Sequence, residues 1–489
     1  MENNRKFGTD SRLISKYNPQ LEAQRFVEHM IADHRINENS IVIVIGPVSV
    51  FLKSSLNRAG IGDSSMFLCF FRDDHAAGER IENTWIYDSG ISLSTFLHTK
   101  ISGDCIHRLA IIEWKPTVKA FPQISSYIHR EIKTFTARLY ANIHSFGKLG
   151  HSWMRNYIIN YLSINEYIQL INISGDCILA VPGTSLNDLL PIIKRHRKGA
   201  YIACLSSALR PLLANDILPD AVIQSDGGFY SSRYTDYFTS ESTVLIKTGA
   251  SAINRLSSTV FLRNGNPLEA FLPEPFTSKT FCIPDQGTVT YTAITFLSKI
   301  VRGSIFLCGL DLEHPIDTTH AKHHLQNILW SYGQTRLSTC FSNSVSSVLD
   351  RSKKHNHGTY IDNNYEHYRD FLSGSAPKSS HVFRVCPSSV SIGYDQIDID
   401  NFEKRLASSG KINIVSEINE NMRAQKFSFI DKIHNFNQNI GSFHGTEIYK
   451  EFFLYLSTSE YLKGDWNNTN NLKSSLKSLI GLADELLPD

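Results

Sequence analysis

Between residues 177 and 308 the chain repeats one arrangement: a short apolar run, a glycine or aspartate, then a stretch with helical spacing. The runs are Cys177–Val181, Ala200–Leu205, Ala221–Gln224, Thr243–Ile246 and Ser304–Cys308. Strands that alternate with helices return to one sheet through crossovers, so the pattern predicts a parallel sheet covered on both faces. Ligands of such sheets gather beyond the carboxyl ends of the strands. The chemistry is therefore to be sought in the loops that follow these runs.

The chain's 489 residues allow two to four domains. Residues 17–30 read as a helix opened by Asn18-Pro19, and Ile41–Ile45 as a β-branched strand closed by Gly46-Pro47. A helical pattern through Leu52 and Leu56 and two more apolar runs, Met66–Phe71 and Leu109–Trp114, complete an expected N-terminal α/β domain over 15–125. From Tyr127 to Leu162 apolar residues recur every three or four positions, interrupted by Gly147 and Gly150, which predicts two connector helices within 126–165. The central α/β domain, doubly wound and Rossmann-like, is expected over 166–340. Residues 342–380 are rich in Ser, Asn, Lys and His and read as a mobile stretch, so 341–394 is taken as a loop-rich insert. The spacing of Val415, Ile418, Met422, Phe429 and Ile433, then Leu472, Leu476, Leu479 and Leu482, predicts a C-terminal helical domain over 395–489.

Charge excludes some functions. Forty-nine basic against 47 acidic residues leave a formal net charge of +2, so no global field favours nucleic acid or membrane, and any anion site must be local. The basic run Lys194–Lys198 suits a helix end, and Ser352–His357 a polar loop. Eight cysteines stand singly, without the paired spacing of a zinc or redox site, and read as reduced thiols of a cytosolic chain. Met1–Arg12 lacks the apolar run of a secretory signal. The longest apolar stretch, Ser40–Leu52, is broken by Gly46 and Pro47 and falls short of the roughly 20 residues of a membrane helix. A cytoplasmic protein with no membrane span is expected.

Four segments carry candidate chemistry. The run Ile178–Val181 leads into Pro182-Gly183-Thr184-Ser185, and Ser185 with Asp188 has capping-box spacing. Free N–H groups and hydroxyls there would suit a phosphate at a helix N-terminus; taken alone, a plain capped helix start, with Pro191 kinking or delaying it, is the commoner meaning of such a turn. After the run Ala221–Gln224, Asp226 meets Gly227-Gly228 where a parallel strand would deliver a side chain to a ribose, a hydroxyl or a metal, while Asp220 reads as a turn cap. In Ile283-Pro-Asp-Gln286-Gly287-Thr288, Thr288 suits an N-cap, and a second helix start beside Gly183 would suit a carboxylate or second phosphate. Last, Asp311 and Glu313 follow the run Ser304–Cys308, with His320, His323 and His324 beyond. Histidine is the natural general base for an alcohol near neutral pH, which makes His320 the candidate base.

Taken in order, these segments resemble one family. Tyr17-Asn-Pro with Glu22-Ala23, Pro182-Gly-Thr-Ser-Leu186, Ser206-Ser-Ala-Leu-Arg-Pro-Leu-Leu213 with Leu218-Pro-Asp220, Gln224-Ser-Asp226, Gly287-Thr-Val289, and Cys308-Gly-Leu-Asp-Leu312 with Thr319-His-Ala321 are similar to the motility-associated factor (Maf) flagellin glycosyltransferases. That family shares its central domain with 6-hydroxymethylpterin diphosphokinase-like proteins. The resemblance covers about residues 15–330 and is strongest from 177 to 322. It implies a three-domain cytoplasmic enzyme with a sialyltransferase-like centre. Such an enzyme transfers a pseudaminic- or legionaminic-type nonulosonic acid from a CMP-activated donor to serine or threonine of flagellin. On that reading Gly183, Thr184 and Ser185 hold the phosphate, Asp226 and Asp311 orient ribose or acceptor, Gln286 to Thr288 contact the donor's sugar or carboxylate, and His320 is the base. The turn Gly46-Pro-Val-Ser49 is less glycine-rich than in related chains, and Thr184 replaces a proline often found before the serine. Two alternatives stand beside it: diphosphate transfer from ATP to a pterin alcohol, which requires magnesium, and a non-catalytic flagellin-binding adaptor. Whether magnesium assists the glycosyl transfer stays open at this point.

Overall fold

The computed structural model describes residues 13–487 apart from 16, 34, 48–49, 73–80, 102, 237, 255–257, 285–286, 356–357, 375–380, 386–387, 411 and 420–421. The chain forms two compact units, Met1–Gly150 with Gly445–Leu472, and His151–His444 with Lys473–Asp489.

The first unit is built on four parallel strands in the order Thr84–Ile86, Met66–Phe70, Ile41–Ile45, Leu109–Glu113. Ile41–Ile45 is buried throughout, as a β-branched run between two neighbours requires. The opening helix, Pro19–Ala32, starts as its sequence implies: the Asn18 side chain accepts the Leu21 N–H at 2.9 Å, and proline occupies the first turn. Its Ala23, Val27 and Met30 join Val42, Val44, Leu52, Leu56, Leu68 and Trp114 in one core.

A single helix, Pro122–Ser163, replaces the two expected connectors. Gly147 and Gly150 do not break it, because each lies where a side chain would collide within the first unit. A Cβ on Gly150 would stand 2.4 Å from the Tyr455 carbonyl oxygen, and one on Gly147 would stand 2.9 Å from Thr458 Oγ1. Close packing therefore offsets the roughly 1 kcal/mol that glycine costs in a helix. Gly150→Ala, which would stabilise an exposed helix, is expected to destabilise this unit by about 1–3 kcal/mol through overpacking. Denaturant unfolding followed in this unit measures it, and a variant as stable as the parent would contradict the packing argument.

The second unit carries an eight-stranded parallel sheet. Its order is Thr259–Leu262, Val244–Thr248, Ala221–Gln224, Tyr201–Leu205, Cys177–Ala180, Ile305–Cys308, Val382–Val385, Asp395–Gln396. Successive side chains alternate between two cores. Ile178, Ala180, Ile202, Cys204 and Val222 join one, and Cys177, Leu179, Tyr201, Ala203 and Leu205 the other. Both faces are thus covered, as a doubly wound sheet demands. From Cys177–Ala180 the chain steps outward one way to Thr259–Leu262, then returns to lay Ile305–Cys308 on the other side. The strand order reverses between these two central strands, and the crevice beyond their carboxyl ends is where such folds bind ligands.

Several boundaries differ from expectation. The stretch expected as a loop-rich insert, 341–394, holds the helices Cys340–Arg351 and Asn363–Gly374 and the sheet strand Val382–Val385. Its polar composition belongs to helix surfaces, while Val348, Leu372, Val382 and Val385 are buried. Val415 and Ile418 lie not on a helix but on the strand Asn413–Asn419, antiparallel to Tyr167–Ser174, where β-branched residues are favoured. The C-terminal 395–489 is not one helical domain, since Gly445–Leu472 belongs to the first unit. Cys69, Cys177, Cys204, Cys282 and Cys340 are free thiols, and Cys386 lies outside the described residues. No described helix is long and apolar enough to cross a membrane.

Candidate active site

A cavity of about 490 Å³ opens beyond the carboxyl ends of the central strands of the second unit. Gly183, Asp226, Gly287 and Asp311, drawn from four separate loops, all line it, together with Thr288 and His320. Its volume lies in the range of small-molecule sites. Gln286 lies outside the described residues.

The turn after Cys177–Ala180 is held against the turn after Ile305–Cys308. The Val181 N–H donates to the Cys308 carbonyl at 2.8 Å and the Gly183 N–H to the Gly309 carbonyl at 2.9 Å. Only glycine fits there: a Cβ on Gly183 would stand 2.3 Å from the Gly309 carbonyl oxygen and 2.6 Å from Asp311 Oδ2. Close backbone approach, rather than turn flexibility, explains this residue.

Thr184 and Ser185 do not present free donors to a phosphate, as their place in the sequence suggests. Thr184 Oγ1 donates to Asp311 Oδ2 at 3.1 Å, the Ser185 N–H donates to the same oxygen at 2.8 Å, and Ser185 Oγ donates to Asp311 Oδ1. Neither hydroxyl lines the cavity. The buried Asp311 carboxylate thus occupies the N-terminus of the helix Leu186–Arg195, where an anion was expected. Ser185 makes no side-chain cap of its own, and Pro191 sits inside this helix without delaying it.

The other helix start does face the cavity. Gly287 adopts φ +73°, in the left-handed region, and Gly287, Thr288, Val289 and Thr290 all line the space. Thr288 caps the helix Val289–Ile300, accepting the Thr290 N–H at 3.3 Å. A 12-residue helix directed at a cavity offers an anion the positive end of its dipole.

The carboxylates divide by surroundings. Burial alone would raise the Glu313 carboxyl, but hydrogen bonds from Thr359 Oγ1 at 2.7 Å, Ser388 Oγ at 2.8 Å and the Ser389 N–H at 2.7 Å outweigh it and hold its pKa below the ordinary value. Asp226, two residues past the strand Ala221–Gln224, is exposed and accepts the Gly228 N–H at 2.8 Å. It keeps acceptor capacity for a ligand hydroxyl. Asp220 is structural, bridging Arg197 at 2.7 Å and the Ile202 N–H at 2.7 Å.

His320 is fixed in the cavity wall. Its Nδ1 lies 2.8 Å from Thr319 Oγ1, and its ring stacks on His324 at 4.0 Å with 6° between planes. Burial, with His314 nearby, pushes its pKa down to about 4, and burial with the neighbouring His320 pushes that of His324 to about 2. Both rings are neutral at pH 7. In the unfolded chain each would take up a proton near pH 6.5, so the folded state binds fewer protons below that value. Stability of this unit is therefore expected to fall as pH drops from about 6.5 towards 4. Urea unfolding at the two ends of that window, with His320→Gln losing less than the parent, checks the sign; an equal loss in both contradicts it.

Three parts of the site were not anticipated. Trp153 comes from the long helix, and Tyr365 and Tyr368 from the helix Asn363–Gly374. Their signal was the spacing of Tyr365, Tyr368 and Leu372 in an otherwise polar stretch. Arg384, fully buried on the strand Val382–Val385, donates from Nε to the Leu310 carbonyl at 2.7 Å, from Nη2 to the Asp311 carbonyl at 2.6 Å, and from Nη1 to the Val390 carbonyl. It holds the turn that ends in Leu312, a non-glycine residue at φ +56°.

Residues 152–317 match the family model described as 6-hydroxymethylpterin diphosphokinase MptE-like, so the second unit carries an MptE-like domain. An uncharacterized protein of Treponema pallidum (strain Nichols) is 23% identical over 263 residues, which is 52% of this chain and 58% of that relative. The chain thus matches little more than half the length of this curated relative. A solved structure described as a Maf glycosyltransferase from Magnetospirillum magneticum AMB-1 aligns over 98% of this chain and 84% of its own, with 13% identity and a TM-score of 0.47. The family model is the one whose central domain the sequence motifs resemble.

Proposed function

We propose that the chain is a glycosyltransferase that moves a nonulosonic acid, of the pseudaminic or legionaminic kind, from its CMP ester to serine or threonine hydroxyls of flagellin. The observation that carries this reading is the meeting of Gly183, Asp226, Gly287, Asp311 and His320 around one cavity at the switch point of a doubly wound sheet. The acceptor oxygen would attack the anomeric carbon as its proton passes to His320 Nε2 and the sugar–phosphate bond breaks, leaving the electron pair on CMP. A neutral imidazole is in the form that accepts that proton.

The phosphate is assigned to the start of the helix Val289–Ile300 at Gly287 and Thr288, rather than to Thr184 and Ser185, whose donors serve Asp311. Asp226 is assigned to the ribose hydroxyls. Asp311 is then a positioning residue that fixes the turn at Gly183. The acceptor and the particular sugar rest on the family resemblance.

One observation favours a second reading, diphosphate transfer from ATP to a pterin alcohol. Asp226, Asp311 and Glu313 line the cavity, and neither Lys nor Arg appears among its described lining residues. A triphosphate there would be helped by magnesium to offset the carboxylates. Incubating the chain with flagellin and a CMP-activated nonulosonate, beside a parallel incubation with ATP, magnesium and hydroxymethylpterin, separates the two. Sugar appearing on flagellin by intact mass supports the transferase, and pterin diphosphate formation would replace it by the second reading. Neither product would overturn both and leave the adaptor.

A further inference from the structure

His324 is not among the residues lining the cavity, yet its surroundings are built with care for its neighbour. It is the N-cap of the helix Leu325–Tyr332, and its Nδ1 accepts the Gln326 N–H at 3.2 Å. A neutral ring that accepts at Nδ1 carries its proton on Nε2. That Nε2 is buried and has no hydrogen-bond partner among the described residues, in a side chain only 3% exposed. Leaving a buried donor unmade costs about 1–3 kcal/mol, so packing must justify this ring where Asn or Ser would cap as well. The packing is the parallel stack on His320 at 4.0 Å, with Tyr234 lying 5.6 Å from His324.

The rest of His320 is tied from its own loop. Thr318 Oγ1 donates to the His320 carbonyl at 2.9 Å, the Ala321 N–H donates to the Pro182 carbonyl at 2.8 Å, and Thr319 Oγ1 meets Nδ1. Nε2 of His320 has no partner among the described residues, in a residue that lines the cavity.

We propose that His324 is a positioning residue for His320: the capped helix fixes the His324 ring, and the stacked ring holds the His320 imidazole in one orientation with Nε2 offered to the cavity. This rests on reading His320 as the base. The stack also disfavours charge, since the second buried ring shields the His320 imidazole from water. The other titratable groups around the pair are His314 and Tyr234, with Asp226 near Tyr234, and Tyr365, Tyr368, Asp311 and Glu313 along the cavity.

The test uses the full chain labelled with ¹³Cε1-histidine, the His320 resonance being assigned with His320→Gln. In the parent, His320 should remain neutral down to about pH 5. His324→Asn keeps a cap acceptor and removes the ring, and should raise the His320 midpoint by at least about one pH unit towards 6.5. His324→Phe keeps a flat ring without the cap acceptor, and should leave the midpoint close to the parent's. Where His324→Asn fails to fold, His324→Ser serves in its place. In transfer assays the acid limb of kcat should move with the midpoint, the loss in His324→Asn at about pH 5.5 relative to about pH 8 rising to about tenfold where the midpoint reaches about 6.5, with KM little changed. An unchanged His320 titration in His324→Asn, or equal shifts in the Asn and Phe variants, overturns the proposal. If the midpoints behave as stated but His320→Gln transfers sugar normally, the base assignment fails while the stacking role stands.

Discussion

Arg384→Met should lower the stability of the second unit by about 4 kcal/mol and disable the site with it. The guanidinium is wholly buried and spends its donors on three backbone carbonyls, at Leu310, Asp311 and Val390. Methionine fills similar space but removes the guanidinium's donors from the Leu310, Asp311 and Val390 carbonyls, at about 1–3 kcal/mol for each buried acceptor that loses its bond. The turn also contains Leu312 at φ +56°, a conformation that persists only when its surroundings over-determine it. Without Arg384 that turn is free to relax, and Asp311 moves away from Thr184 and Ser185. Lysine should rescue only part of the loss, because one ammonium cannot reproduce a planar fork. Urea unfolding resolves a change of this size, and a methionine variant within about 1 kcal/mol of the parent would contradict the role given to Arg384.

The second large effect concerns chemistry rather than folding. His320→Gln should reduce transfer by roughly 10²–10⁴-fold, the range that a positioned general base contributes. Glutamine retains a hydrogen-bonding side chain of similar reach, so Thr319 and the loop at Pro182 keep their contacts. The loss should fall on kcat, with the donor's affinity little changed, because the base acts on the acceptor hydroxyl. Steady-state kinetics with the CMP-activated donor separates the two parameters. Full kcat in His320→Gln would remove the base from the mechanism.

The parts of this molecule legible in its sequence are those where local pattern and tertiary demand agree. Ile41–Ile45 and Ala221–Gln224 occupy the spans that their apolar runs mark, because a strand buried on both faces must be continuously apolar. The gathering of Gly183, Asp226, Gly287 and Asp311 follows from strand order, which alternation with helices already implies. What stayed hidden is set by partners far along the chain. Gly147 and Gly150 look like helix breakers until Tyr455 and Thr458 are laid against them. Thr184 and Ser185 look like phosphate donors until Asp311, 126 residues beyond Ser185, takes their hydrogen bonds. Tyr365, Tyr368 and Arg384 lie in a stretch whose surface polarity masks a helix and a strand of the sheet.

All of this rests on the cavity being a nucleotide pocket, and calorimetric titration of the full chain with CMP, and with ATP in the presence and absence of magnesium, tests that most directly. CMP should bind saturably and more tightly than ATP, and Asp226→Asn should weaken it at least about tenfold through lost ribose contacts. Absence of binding by either nucleotide, or CMP affinity indifferent to Asp226, would contradict it.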